Sequence, residues 1–128
     1  MGASHDLHNP DELLPLSPAI FHILLALSTG ERHGYGIMRE IAALSHGQLR
    51  IGPGTLYRSL RQMLDTGMVE ESDERPDPAL DDERRRYYRL TGFGRQVAQA
   101  EAIRLANLVH EAAARRVLPG AAGIEGAS

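Results

Sequence analysis

The sequence predicts a mainly α (α+β) fold, a winged helix-turn-helix carrying a long C-terminal dimerisation helix. Three observations predict it. Apolar residues recur at helical spacing in three short segments and in one long Ala-rich segment. Two β-favouring runs flanking a charged loop stand between the third and the last of these. Gly, Pro, Ser or Thr punctuate the junctions. The chain divides into a flexible arm (1–16), a winged domain (17–90), the dimerisation helix (91–118) and a disordered tail (119–128).

Taken in order, the arm is polar and acidic, with one helical turn at Asp11–Leu14. Ser17 and Pro18 then supply an N-cap and a first helical residue. The run Ala19 to Leu27 is apolar almost all round, so the first helix should be covered on more than one side. The second helix spans Gly34 to Ser45, with Ile37, Ile41 and Leu44 on one face, and His46-Gly47 stop it. Leu49-Arg50-Ile51 reads as a short edge strand. Gly52-Pro53-Gly54 feed a third helix, Gly54 to Thr66, ended by Gly67. Strands at Met68–Ser72 and Arg85–Leu90 form a hairpin, the second rich in β-favouring Tyr87 and Tyr88. Thr91 caps a helix that runs to Val117.

Composition narrows the functional classes. With no Cys there are no disulfides, thiolate zinc sites or cysteine nucleophiles, which fits a cytoplasmic protein. No run of apolar residues is long enough to span a membrane, and no basic segment leads into an apolar run at the start. Neither a nucleophile elbow, a phosphate-cradling Gly loop nor a His-Glu zinc motif is present, so neither an enzyme nor a resident cofactor is expected. The six His are scattered, His5 and His8 on the arm and His22, His33, His46 and His110 elsewhere, and no metal site is assigned. The net charge of −3 is opposite in sign to that of most nucleic-acid-binding domains.

The local distribution of charge differs from the total. On the third helix Leu56, Leu60, Met63 and Leu64 share one face, and the opposite face presents Gly54, Thr55, Arg58, Arg61 and Gln62, with Tyr57 at the boundary. From Gly47 through Leu64 there is no acidic residue, as a surface approaching phosphates requires. Arg and Gln can bond base edges in pairs, and Thr55 suits a phosphate oxygen at the helix start. Arg84, Arg85 and Arg86 open the return strand, where they would hold the backbone beside the groove. Against this, Glu70, Glu71, Asp73, Glu74, Asp77, Asp81, Asp82 and Glu83 cannot lie on a phosphate; they either project away or pair with the arginines. A solvated helix face and a solvated loop are the plain alternatives.

Residues 16–94 resemble the PadR family of winged-helix regulators. The resemblance rests on His33-Gly34-Tyr35-Gly36-Ile37, Pro53-Gly54-Thr55-Leu56-Tyr57, Leu60, Gly67-Met68-Val69 and Arg86-Tyr87-Tyr88-Arg89-Leu90-Thr91 with Gly94. It implies a repressor that binds double-stranded DNA as a homodimer through its C-terminal helix and is released by a small-molecule effector. It also implies DNA contacts by Tyr35, Thr55, Tyr57 and the polar face of the third helix. Three features depart from the family pattern. Arg58 stands where Pro often follows the motif Tyr; Glu74–Glu83 is long and acidic for a wing; and a single C-terminal helix places the chain with the short members.

The residues themselves also favour pairing, because Phe93, Val97, Ala100, Ile103, Leu105, Leu108 and Val109 make an apolar stripe too long for one small domain to cover. The alternative is a helix folded back on its own chain. Candidate effector-lining residues, by the family pattern, are Phe21, Leu24, Ile103 and Val109. Two other functions compete: a winged protein-interaction module, which the acidic wing favours, and a metal-responsive regulator.

Overall fold

In the computed structural model, which describes residues 9–72, 75–76 and 84–119, four helices surround a small antiparallel sheet. Helix α1 (Pro18–Leu27) begins as its sequence requires: the Ser17 hydroxyl accepts the Ile20 N–H at 3.2 Å, with Pro18 in the first turn. Ile20, Ile23, Leu24, Ala26 and Leu27 are buried, because α1 packs against all three other helices and the sheet.

Strand β1 (Arg32–His33) leads directly into α2 (Gly34–Leu44), whose first turn is capped by His33 Nδ1 accepting the Gly36 N–H at 3.0 Å. Helix α3 (Pro53–Asp65) buries Leu56, Leu60 and Met63, and Gly67, at a φ of 80°, turns the chain out of it. Strands β2 (Val69–Glu71) and β5 (Tyr87–Leu90) form the wing root, with Val69 opposite Leu90, Glu70 opposite Arg89 and Glu71 opposite Tyr88. A separate ladder of β3 (Arg75–Pro76) and β4 (Arg84–Arg85) continues it. Helix α4 (Gly92–Ala114) follows, Thr91 Oγ1 accepting the Gly94 N–H at 2.9 Å.

The third strand of the sheet is not where the sequence suggested. Sheet order is β1-β5-β2, with Arg32 opposite Tyr88 and His33 opposite Tyr87. Residues 49–51 have no strand partner; Leu49 is held to the end of α2, its N–H donating to Ser45 Oγ at 3.0 Å. The pairing capacity of β5's free edge is taken by Arg32 and the α2 cap itself, His33, two residues that are too few to show any alternation in sequence.

The segment expected to be a loose arm is docked over its second half. A 3-10 turn spans Pro10–Leu13, and Leu13, Leu14 and Leu16 pack against the core. The Leu16 N–H donates to Glu101 Oε2 at 3.0 Å, and Glu101, on α4, is 2% exposed. Arg104 closes the carboxylate from the other side, Nε to Oε1 at 2.6 Å and Nη2 to Oε2 at 3.0 Å. The Arg104 hydrogen bonds, with the Leu16 N–H, hold the Glu101 carboxyl below the usual carboxylate range despite its burial. Residues 1–8, with His5 and His8, and the tail beyond 119 lie outside the described residues.

Candidate nucleic-acid interface

The α3 face that points away from the core is built by helical phase. Burying Leu56, Leu60 and Met63 leaves Arg58, Arg61 and Gln62 exposed, with Gly54 exposed and Thr55 half-buried at the start. Unlike the other helices, α3 has no side chain capping its N-terminus; Gly52 occupies that position and offers only backbone. Its first N–H groups are therefore left to water or to an incoming acceptor.

Two tyrosines border this face. Tyr35, in the first turn of α2, is 51% exposed. Its ring stacks on His33 with centroids 6.5 Å apart, and the Arg39 guanidinium lies over it, 5.6 Å from its centre. Tyr57 reaches back over the start of α2: a Cβ on Gly34 would overlap its hydroxyl. So Tyr57 both fixes the angle of α3 against α2 and leaves its ring half-exposed beside the reader face.

The arginines on and around α3 differ from those at the wing root. Among the described residues Arg39, Arg50, Arg58 and Arg61 are exposed and make no ion pair. At the wing root the pattern reverses: Arg89 Nε meets Glu70 Oε2 at 2.8 Å, and Arg86 Nη1 meets Glu71 Oε2 at 3.4 Å. Both pairs are solvent-exposed, each worth about 0.2–1 kcal/mol and screened by salt. Of the two options open in the sequence, pairing is the one adopted by these acids. Arg84 and Arg85 lie in β4, but their side chains and the acids at 73–74, 77 and 81–83 lie outside the described residues. Behind the wing, burial and the neighbouring Glu71 carboxylate raise the Tyr88 phenol above its ordinary range.

The apolar stripe of α4 is split. Val97 is completely buried and the half-buried Phe93 packs against the core, so both hold α4 to its own chain. The reason is Gly94: its missing Cβ lets the helix start lie directly on the Met68 carbonyl. Further along, Ala100 and Leu105 are half-buried, whereas Ile103 is 54% exposed and Leu108 and Val109 are exposed too. The four candidate effector residues do not form one lining within a chain. Leu24 is fully buried and Phe21 half-buried, while Ile103 and Val109 face outward.

Arg39 and Arg50 are the members of the basic surface that sequence reading missed. Arg39 lies four residues after Tyr35, on the same helical face, and Arg50 falls inside the acid-free run. Among the described residues no three His, Asp or Glu side chains gather as a metal site requires, and no helix is long and apolar enough to cross a membrane.

Comparison with known proteins agrees with this architecture. The model of the transcriptional regulator PadR-like family matches residues 23–100. Among solved structures, a PadR family transcription regulator from Clostridium difficile superposes with a TM-score of 0.64 at 18% identity, over 75% of this chain and 95% of that one. A PadR-like transcriptional regulator from Bacillus cereus gives 0.63 at 18%, over 79% and 91%. The PadR of Bacillus subtilis, solved in complex with operator DNA, gives 0.59 at 21%, over 70% of this chain and 49% of that longer one. At these identities the structural likenesses carry the winged-helix fold alone. No curated protein sequence matches the chain. The family match spans more than half of the chain and includes the whole of α2, α3 and the wing, and the chain belongs to the PadR-like family of transcriptional regulators, not to a family of enzymes.

Proposed function

We propose that this protein is a cytoplasmic transcriptional repressor that binds double-stranded DNA as a homodimer. The observation that carries the reading is the outer face of α3, where Arg58 and Arg61 stand exposed and make no ion pair among the described residues although the whole chain is net negative. The fold it shares with an operator-bound PadR supports the same reading. In the pair, each α3 enters a major groove, Arg58, Arg61 and Gln62 meet base edges, and Tyr35, Thr55 and Tyr57 meet backbone. Two such readers in successive grooves select an inverted repeat with half-sites about 34 Å apart. The exposed outer half of α4, with Ile103, Leu108 and Val109, forms the seam between copies. A small-molecule effector lodged where that seam meets α1 would release the DNA.

The test is selection of bound duplexes from random DNA by the purified protein, followed by titration of the selected duplex against salt. The expected result is a two-fold symmetric consensus, with log affinity falling by about 0.9 per log unit of salt for each phosphate neutralised. The Arg58→Ala variant should lose about 1–3 kcal/mol and relax the preference at one position of each half-site. A flat salt dependence with no consensus would overturn the repressor reading. It would favour the protein-interaction module, which the neutralised wing root would suit.

A further inference from the structure

We infer that Arg39 and Arg50 form a second phosphate-binding station that grips the DNA backbone beside the groove entered by α3. This rests on the DNA-binding reading above and adds to it a surface outside the recognition helix and the wing.

Between α2 and the entry to α3 lies an open concavity of about 370 Å³, lined by Tyr35, Met38, Arg39, Ala42, Arg50 and Ile51. It carries two guanidinium groups and no carboxylate. A neighbouring concavity of about 390 Å³ shares Arg39 but includes Glu31 and Glu40, and the Arg32–Glu40 pair at 3.5 Å crosses it. Only the first is uniformly positive. Its position follows from the chain: Tyr35, Arg39 and Ala42 lie on one face of α2, and Arg50-Ile51 immediately precede Gly52, the uncapped start of α3. The cleft thus lies at the entry to the recognition helix, with Arg50 two residues before its uncapped start.

Arg39 is also held ready. Its guanidinium rests against the Tyr35 ring and forms no ion pair among the described residues, so its donors remain available to an anion. The occupant is a phosphodiester of the duplex. A cleft beside a groove-reading surface, with two guanidinium groups, one of them held against an aromatic rim, matches a repeating anionic backbone. Such contacts set register and affinity without reading sequence. At the wing, Glu70 and Glu71 already occupy Arg89 and Arg86, so this station takes over the backbone-holding role expected there.

The experiment uses the full chain and two probes, the duplex that it selects from random DNA and an unrelated duplex of equal length. Affinities are measured between 50 and 200 mM salt for the wild type, Arg39→Ala, Arg50→Ala and Arg39→Lys. Each alanine variant should bind both duplexes more weakly by the same factor, with a salt slope shallower by about 0.9, while Arg39→Lys keeps the wild-type slope. Across that fourfold salt range the loss of affinity would then shrink by about 3.5-fold per variant. Both side chains are exposed, so unchanged thermal melting verifies the fold. If the wild type binds steeply but the alanine variants keep its slope, this station is absent while the repressor reading stands. If the wild type binds neither duplex, that reading itself fails. Weakening by free inorganic phosphate that depends on Arg39, with unaltered DNA slopes, would assign the concavity to a small anion and overturn the proposal.

Discussion

Gly54 sits in the first exposed turn of α3 with open space where a Cβ would stand and no positive φ to require glycine. Its neighbours in the family motif are different: Gly34 makes room for the Tyr57 hydroxyl and Gly94 for the Met68 carbonyl. Nothing in its own chain requires glycine here, and under the proposed reading this is where the duplex approaches the helix backbone. Gly54→Ala should therefore leave folding unchanged or stabilise it by up to about 0.4–1 kcal/mol, through a less flexible unfolded chain. The same substitution should weaken DNA binding on selected and unrelated duplexes alike. Urea melts and anisotropy titrations measure the two halves, and unchanged DNA affinity would remove the proposed close approach. Arg58, Arg61 and Gln62 could be placed on this face from sequence alone, since helical phase fixes direction. Arg39 and Arg50 could not, because their relevance comes from a cleft between two segments.

Within the elements, what was legible is what local chemistry decides. Ser17-Pro18 and Thr91 mark helix starts because each hydroxyl caps a nearby N–H, and the structure has both bonds. Strand β1 was not legible, as two residues carry no period and their pairing is decided by β5, over fifty positions away. Helix α4 shows the other limit: one periodic stripe serves two environments, and long-range contacts, Gly94 on Met68 and Glu101 with Leu16 among them, separate them. Its two halves should respond differently to a charge. Ile103→Glu should leave the fold intact and yield monomers at micromolar concentration by sedimentation. Val97→Glu, placing a carboxylate in the sealed interior, should abolish cooperative unfolding. A folded dimer of the Ile103 variant would contradict the seam.

At the scale of the whole molecule, a polar link joins Leu16 to Glu101, 85 residues apart, and fastens the start of the winged domain to α4. Sequence could not reveal it, because Leu13, Leu14 and Leu16 have no helical spacing and their anchor is a single carboxylate far along the chain. Glu101 releases its proton more readily folded than unfolded, since the Arg104 and Leu16 bonds favour the charged form. Its contribution is thus complete above the unfolded carboxyl value, about 4.3, and fades as pH falls through the lower folded one. Glu101→Gln should be less stable at pH 7 by about 1.5–3 kcal/mol, the range for hydrogen bonds to a charged group. That gap should narrow on acidification towards pH 3, as urea midpoints would record. A gap constant over this interval would remove the carboxylate from the account.

One backbone position ties these scales together. The Met68 N–H donates to the Met63 carbonyl at the end of α3, and its own carbonyl accepts the Thr91 N–H and abuts Gly94 at the root of α4. Helices α3 and α4 are thereby joined through one backbone position. With α4 23 residues long, a tilt of a few degrees at its far end is carried along a lever of about 34 Å. In a paired molecule, the reach between two recognition helices is then adjusted from the seam, without either helix having to bend.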